Sequence, residues 1–127
     1  MAVKYILALR GNPGNPSAKR KYYAQAISVG EVTLNRLSKE ISSETAIMKE
    51  LDVLLVLDKL IKVLNRHLSE GRIVRFGDFG SFQIMLKSEG TETSEEFKNS
   101  FLRDARVAFR PSPDIKDMLT KLEFKKI

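Results

Sequence analysis

The sequence predicts an α+β fold, and two periodic patterns support that expectation. Over residues 49–69, apolar side chains recur at the three- to four-residue spacing of an amphipathic helix. Over residues 81–87 and 106–110, apolar and polar residues alternate, which is typical of a half-buried strand. One long helix and one sheet are therefore expected in a chain of 127 residues, a length typical of one domain.

The composition is that of a folded domain with few groups suited to catalysis. Hydrophobic residues make up 43% and charged residues 30% of the chain, an ordinary globular balance. Cysteine is absent, and the lone histidine, His67, cannot form a histidine metal site by itself. The sequence shows no secretory signal pattern and no apolar run of about 20 residues. We expect a cytoplasmic, non-enzymatic protein without catalytic residues, metal, cofactor, small-molecule substrate or membrane partner.

The charge of the chain favours an anionic partner. Lys and Arg number 22 against 16 Asp and Glu, which gives a net charge of +6. The charge is segregated, because residues 1–40 carry seven basic and two acidic side chains whereas residues 88–104 carry two basic and five acidic ones. A domain this basic attracts polyanions such as nucleic acid or an anionic membrane surface, although a modest net charge also serves solubility.

The first 29 residues predict a β-hairpin that precedes the main domain. Residues 3–10 and 20–27 are rich in strand-forming side chains, and the Gly-, Asn- and Pro-rich stretch between them predicts a turn. Gly30 marks the next break. We expect residues 1–29 to form an N-terminal β extension and residues 30–127 to form the main domain.

A short helix and a long helix are expected at the start of the main domain. Thr33 can cap a helix over about residues 34–42, and the Ser- and Thr-rich stretch 42–45 suits a break. The long helix ends before Gly71. Its apolar side chains fill about half of the circumference, whereas a surface helix buries a stripe nearer ~100° wide. This breadth indicates a second chain, most simply a homodimer, with burial inside one monomer as the alternative.

Short strands and one further helix complete the main domain. Residues 72–76 predict a strand, Gly77–Gly80 a tight turn, and residues 88–104 a polar, acidic connection. Ser112 and Pro113 are typical of an N-cap and a first helical position, so a short C-terminal helix is expected. Its apolar side consists of Ile115, Met118, Leu119 and Leu122.

If the two alternating strands share one sheet, its two faces differ in chemistry. The apolar face consists of Phe82, Ile84, Leu86, Val107 and Phe109. The opposite face carries no acid and consists of Gln83, Lys87, Arg106 and Arg110, with Arg75 joining from the preceding strand. Guanidinium groups on a fixed surface suit phosphate oxygens. The alternative is a solvated surface with scattered arginines.

Two motifs resemble the HU family of bacterial histone-like proteins, which includes integration host factor. The stretch Gly71–Phe82 contains Gly-Asp-Phe-Gly-Ser-Phe and is similar to the segment after the family's long helix. The stretch Val107–Leu119 contains Ala-Phe-Arg-Pro and is similar to the family's Ala-Phe-Lys-Pro segment. The resemblance covers about residues 30–122, and the N-terminal extension resembles divergent HU-like proteins of Bacteroidetes. It implies an HU-like, integration-host-factor-like fold with a helical dimer core and an antiparallel β saddle.

The resemblance also implies low-specificity binding of double-stranded DNA and an architectural role in the bacterial nucleoid. It places the backbone amides of Gly80 and Ser81 near phosphates and puts Arg110 where the family has a lysine. Lys116 corresponds to a basic residue of the last helix, and Arg75 lies on the strand entering the saddle. The DNA-binding residues expected here are Arg75, Gly80, Ser81, Lys87, Arg106, Arg110 and Lys116.

The interval between Lys87 and Arg106 departs from the family pattern. There the family has a basic arm with a proline that wedges between base steps and kinks DNA. Here the interval lacks proline and is net acidic, so the wedge does not carry over. This departure favours the alternative function, an HU-fold protein-interaction or structural dimer that has lost DNA binding. A third class, single-stranded DNA or RNA binding, needs outward aromatic side chains that this face lacks.

The N-terminal turn has the composition of such an arm tip. Its basic residues are Arg10, Lys19, Arg20 and Lys21, and they flank a loop with Pro13 and Pro16. We expect the basic cluster to contact DNA, because phosphate contacts need little geometric precision. Either proline is a candidate wedge, and the alternative is an ordinary Asn-Pro turn.

Overall fold

The computed structural model describes residues 2–127, which form six strands and three α-helices. In chain order these are β1 (Ala2–Arg10), β2 (Lys21–Ala26), α1 (Leu34–Thr45), α2 (Glu50–Ser69), β3 (Val74–Phe76), β4 (Gly80–Ser88), β5 (Leu102–Pro111), α3 (Pro113–Thr120) and β6 (Glu123–Lys126). The predicted α+β class is confirmed. The chain divides into a terminal unit, which runs up to Thr33 and resumes at Met118–Ile127, and a central unit, Leu34–Asp117.

The terminal unit contains a three-stranded sheet in the order β2-β1-β6. β1 and β2 form an antiparallel hairpin, as predicted, with Arg10 opposite Lys21. β6 pairs in parallel with β1, with Val3 opposite Phe124, and the sequence analysis did not predict this strand. The inclusion of Leu122 in the C-terminal helix was wrong, because α3 ends at Thr120 and the chain then enters β6. The division of the protein at residue 30 stays a prediction.

α1 and α2 pack against each other at the start of the central unit. α1 is longer than predicted because its hydroxyl groups bond backwards to helix carbonyls instead of ending the helix. Ser43 Oγ donates to the Glu40 carbonyl at 2.8 Å, and Thr45 Oγ1 donates to the Ile41 carbonyl at 2.9 Å. α2 agrees with its predicted range to within a residue, and Gly71 follows it with a φ of 83°.

The central sheet is antiparallel in the order β3-β4-β5. Its register confirms the predicted alternation, with Phe82 opposite Phe109 and Ile84 opposite Val107 on the apolar face. Aromatic rings pack on this face, and their centroids are 5.0 Å apart for Phe82 and Phe109 and 5.3 Å apart for Phe79 and Phe109. The opposite face is therefore free to carry the polar side chains of the same strands.

The acidic connection between β4 and β5 is shorter than predicted. β5 begins at Leu102, which pairs with Ser88, so residues 102–104 belong to the sheet and not to the loop. Two 3₁₀ turns lie between the strands, at Ser94–Glu96 and Asn99–Phe101. The rings of Phe97 and Phe101 pack edge to face, with their centroids 5.7 Å apart. Arg103 forms an ion pair with Glu89 at the ends of the two strands.

The central unit leaves much apolar surface uncovered. Among the hydrophobic residues of the described chain, only Val53 of α2 is fully buried. Leu55, Val56 and Ile61 of the same helix are 60%, 55% and 48% exposed. Apolar clefts of about 380 and 260 Å³ lie beside α2, one against α1 and the other against Phe82 of β4. In residues 2–127, no helix is both long enough and apolar enough to cross a membrane.

Candidate nucleic-acid interface

The polar face of the central sheet brings two predicted arginines into one row. Arg75 of β3 lies opposite Ser81 of β4, and Ser81 lies opposite Arg110 of β5. Directly paired residues in a sheet point to the same side, so the two guanidinium groups flank one serine across three strands. Both arginines are exposed and Ser81 is half-buried.

Arg106 lies farther along the same face. It pairs with Met85, and the intervening row consists of Gln83 and Ala108. Arg106 and Arg110 are four positions apart, which corresponds to about 13 Å along β5. Lys87 follows on β4 at a register irregularity and has no pairing partner. We call the surface formed by Arg75, Ser81, Gln83, Met85, Arg106, Ala108 and Arg110 the central basic face.

A small cleft joins the central basic face to the start of α3. The cleft is about 240 Å³ in volume, and its lining includes Arg75, Ser81, Arg110, Ser112 and Pro113. The N-terminus of a helix carries a partial positive charge, which at α3 is shared with the carboxylate of Asp114 in the first turn. Guanidinium groups and a helix start therefore meet at one concave point.

Ser112 fixes the start of α3 as the sequence predicts. Its hydroxyl accepts a hydrogen bond from the Ile115 N–H at 3.3 Å and donates to the carbonyl of Asp78 in the β3–β4 turn. This hydroxyl thus ties the helix N-terminus to the turn that precedes Ser81. Lys116 lies one turn further along α3, exposed and outside the lining of the cleft.

The cations of this region are not neutralised within the chain. In the part of the chain that the structure describes, the recorded ion pairs are Arg36–Glu40, Lys62–Asp58, Arg72–Glu70 and Arg103–Glu89. None of them involves Arg75, Lys87, Arg106, Arg110 or Lys116. The central basic face carries no carboxylate, so its positive charge is available to an external anion.

Gly80 has a packing role in this structure. It is buried, its φ is 155°, and it lies opposite Pro111. A Cβ at this position would be 2.4 Å from the Arg110 carbonyl oxygen and 2.6 Å from the Phe109 ring. Glycine is therefore required here by the close approach of β5, whether or not a phosphate binds nearby.

The basic residues of the N-terminal turn fall into two groups. Arg10, Lys19 and Lys21 line a cleft of about 650 Å³ together with Tyr23. Arg20 instead lies over Gly11 and lines a second cleft of about 390 Å³. Both clefts belong to the terminal unit.

Both prolines of the N-terminal loop lie in hydrogen-bonded turns, and the turn that contains Pro16 is closed by the Ala18 N–H and the Asn15 carbonyl at 3.0 Å. The Asn15 N–H donates to the Asn12 carbonyl at 3.1 Å, and the Gly14 N–H donates to Asn12 Oδ1 at 2.9 Å. Pro13 occupies the first central position of this turn, which its fixed φ suits. Turn formation therefore accounts for Pro13, and a wedge role for either proline stays a prediction.

The sequence analysis missed two cations of the terminal sheet, Lys4 and Lys125. They lie directly opposite each other on β1 and β6, on the same face as Arg10. The alternation of Lys4, Ile6, Ala8 and Arg10 is a signal that could have identified Lys4. No local signal could have identified Lys125, because its position depends on pairing with a strand at the other end of the chain.

His67 is a packed side chain near the end of α2. It is half-buried, and its Nδ1 accepts a hydrogen bond from Arg72 Nη1 at 3.0 Å.

Within residues 2–127 the structure contains no group of three or more His, Asp or Glu side chains arranged to hold a metal ion.

Two solved structures share this architecture, which is an HU-type fold. A candidate DNA-binding protein from Bacteroides vulgatus ATCC 8482 superposes with a TM-score of 0.66 at 8% identity, covering 99% of this chain and 48% of that one. This chain thus spans about half the length of that protein. The HU protein of Anabaena, crystallised with DNA, superposes with a TM-score of 0.55 at 15% identity, covering 71% of this chain and 99% of that one.

The sequence of this chain also matches a known protein family. The model of the HU-HIG family, described as an HU domain fused to a wHTH, Ig or glycine-rich motif, matches residues 1–126, so the chain belongs to this family. The resemblance to HU proteins inferred from the two motifs is thereby confirmed. Comparison with curated proteins gives no match.

Proposed function

We propose that this protein binds double-stranded DNA through the central basic face with little sequence specificity, as a homodimer associated with the nucleoid in the cytoplasm. The observation that carries the proposal is the row Arg75–Ser81–Arg110, with Arg106 farther along the same face and no carboxylate among them. The family and the HU-type fold support the same function. Catalysis plays no part in it.

Phosphate contact is the interaction that these groups can make. Arginine binds phosphate oxygens with a rigid fork of N–H donors, and Arg75 and Arg110 both line the cleft. Lys87 and Lys116 extend the positive surface. Such contacts neutralise the DNA backbone and carry no base information, so affinity is set by counterion release and falls with salt.

The exposed side of α2 supports the homodimer. Burying one Val, Leu or Ile side chain contributes about 1.5–3 kcal/mol, and several such side chains are uncovered on this helix. A second copy that covers them would place two central basic faces on one particle. The charge presented to a duplex would then double.

The proposal is tested by titrating labelled duplex DNA with the full chain at several salt concentrations. Neutralising Arg106 and Arg110 together as Arg106→Gln and Arg110→Gln should weaken binding to all duplexes alike. The slope of log K against log salt should flatten by about 1.8 for each bound chain, since each phosphate contact contributes about 0.9. The matched control is Lys39→Gln with Lys59→Gln, which removes the same charge from exposed positions of α1 and α2. Equal slopes for the two double variants would refute the proposed surface.

Sedimentation tests the homodimer. Val56→Asp places a carboxylate on the exposed apolar side of α2 and should convert the protein to monomer, because an unpaired charge cannot be buried in an apolar interface. Lys59→Asp, on the polar side of the same helix, serves as the control and should stay dimeric. A monomeric wild-type protein at micromolar concentration would overturn this part of the proposal.

A second function is favoured by the organised acidic connection. Residues 89–101 fold back on themselves, with the Phe97 and Phe101 rings in contact and Glu89 paired with Arg103 at the base. This ordered acidic element suits an HU-fold dimer whose ligand is another protein. The same titration discriminates, because such a protein would show no salt-dependent binding to duplex DNA, single-stranded DNA or RNA.

A further inference from the structure

The terminal sheet places like charges directly opposite each other at both ends of one face. Lys4 of β1 pairs with Lys125 of β6, and Arg10 of β1 pairs with Lys21 of β2. Like charges in directly opposed positions destabilise a sheet. Among residues 2–127 no carboxylate forms an ion pair with any of these four side chains. The fold therefore carries two unfavourable pairs that an external anion would relieve.

The surface between the two pairs lacks acidic groups. The register places Ile6 opposite Gln25 and Ala8 opposite Tyr23 on the same face. One carboxylate shares the face, Glu123, and it lies at the extreme end opposite Ala2. We call the surface formed by Lys4, Ile6, Ala8, Arg10, Lys21, Tyr23, Gln25 and Lys125 the terminal basic face. The other side of the sheet includes Val3, Tyr5, Leu7 and Leu9 and carries one cation, Lys126, opposite Tyr5.

The Arg10 end of this face is concave and holds its cation in place. Arg10 Nη2 donates to Gln25 Oε1 at 3.2 Å, which holds the guanidinium over the sheet. The cleft of about 650 Å³ lies here, with Lys19 adding a third cation beside Arg10 and Lys21. Tyr23 forms part of the same lining and offers a hydroxyl and a ring edge. A cleft lined in this way fits phosphate and sugar groups of a polyanion.

We propose that the terminal basic face is a second binding surface for duplex DNA phosphates, separate from the central basic face. Its two cation pairs are six residues apart on β1, which corresponds to about 20 Å. A 20 Å length of duplex contains about six base pairs and carries about twelve phosphate charges, so several of them lie within reach of the four cations. The identity of the ligand, duplex DNA, rests on the proposed function. The location of the site follows from the terminal sheet itself.

The test is a duplex titration of the full chain in two backgrounds, wild type and Arg106→Gln with Arg110→Gln. In each background Lys4, Arg10, Lys21 and Lys125 are replaced by Gln. With the central arginines neutralised, this change should flatten the salt slope by about 3.6 and lower the affinity about tenfold or more at ~50 mM salt. The thermal midpoint should stay unchanged or rise, because the like-charge pairs are relieved.

A charge-preserving variant separates binding from folding. Arg10→Lys with Lys4, Lys21 and Lys125 replaced by Arg keeps all four positive charges and should keep the wild-type salt slope. The charge-matched control is Lys39→Gln and Lys49→Gln with Lys59→Gln and Lys98→Gln, which removes four charges from other exposed positions that form no ion pair in the described chain. If the terminal variant binds the duplex as this control does in both backgrounds, the proposal is overturned. The proposal is also overturned if the protein with neutralised central arginines binds single-stranded DNA or RNA more tightly than the duplex.

The result also distinguishes the two proposals from each other. If neutralising the central arginines has no effect but neutralising the terminal face does, the proposed function of the central face fails and the terminal site stands. If only the central change acts, the terminal site fails and the proposed function stands. A lowered thermal midpoint for the Gln variant, with binding retained, assigns the four cations a structural role and overturns the terminal site.

Discussion

Replacing Gly80 by alanine tests whether the close approach of β4 and β5 determines the shape of the central sheet. The new methyl group would meet the Arg110 carbonyl oxygen at 2.4 Å and two atoms of the Phe109 ring at 2.6 and 2.8 Å. These atoms belong to backbone and to a packed aromatic ring, so they cannot move away as a flexible side chain would. The strands must separate or the Phe109 ring must leave its place among the aromatic side chains.

The magnitude follows from two contributions. Overpacking a close contact costs about 1–3 kcal/mol, and holding alanine at a φ that favours glycine costs about 1–3 kcal/mol more. We therefore expect the free energy of unfolding to fall by about 2–6 kcal/mol. With a urea m-value of about 2 kcal/mol/M, the unfolding midpoint should drop by about 1–3 M.

Two other glycines serve as controls. Gly77 has a φ of 52° with no atom within 4 Å of the added Cβ, so Gly77→Ala isolates backbone strain and should cost about 1–2 kcal/mol. Gly90 has open space and ordinary backbone geometry, so Gly90→Ala should stay within about 0.5 kcal/mol of wild type. Urea unfolding is followed by circular dichroism at one fixed protein concentration. If Gly80→Ala unfolds at the same urea concentration as Gly77→Ala, the steric argument is wrong.

Two further predictions concern α3 and the acidic connection. Ser112→Ala removes the N-cap hydroxyl and its bond to the Asp78 carbonyl, and it should cost about 1–2 kcal/mol in urea unfolding, whereas the exposed Ser17→Ala should change little. An unchanged midpoint for Ser112→Ala would contradict the cap. Neutralising the connection through Glu95→Gln and Glu96→Gln should raise duplex affinity roughly two- to tenfold at low salt, with the gain lost at high salt. Glu31→Gln with Glu44→Gln is the charge-matched control, and an equal gain there would show that only net charge matters.

The central sheet could be predicted from sequence because its pattern is local. Alternation over residues 81–87 and 106–110 assigned every inward and outward side chain before the pairing was known, and one register satisfies both strands. The start of α3 was equally local, since Ser112 and Pro113 carry the cap chemistry themselves. These features depend on residues within a few positions of one another.

The parts that were missed depend on distant partners or on competing local bonds. β6 reads Glu-Phe-Lys-Lys, which has no apolar alternation, and it becomes a strand because β1 supplies a hydrogen-bonding edge. The first residues of β5 include Asp104, a poor strand former that the ladder with β4 overrides. In α1, the hydroxyls that suggested a break bond back to helix carbonyls instead. Lys125 was missed because it joins the terminal basic face only through the pairing of β6 with β1.

The parallel pairing of β1 with β6 has a consequence for the order of synthesis. β1 is synthesised before β6, the neighbour that completes its sheet, which follows about 110 residues later. At typical rates of 5–20 residues per second this interval lasts roughly 5–20 s. During that time the edge of β1 at residues 2–5 lacks its final hydrogen-bonding partner. The nascent hairpin is thus a natural client for chaperones that shield emerging chains.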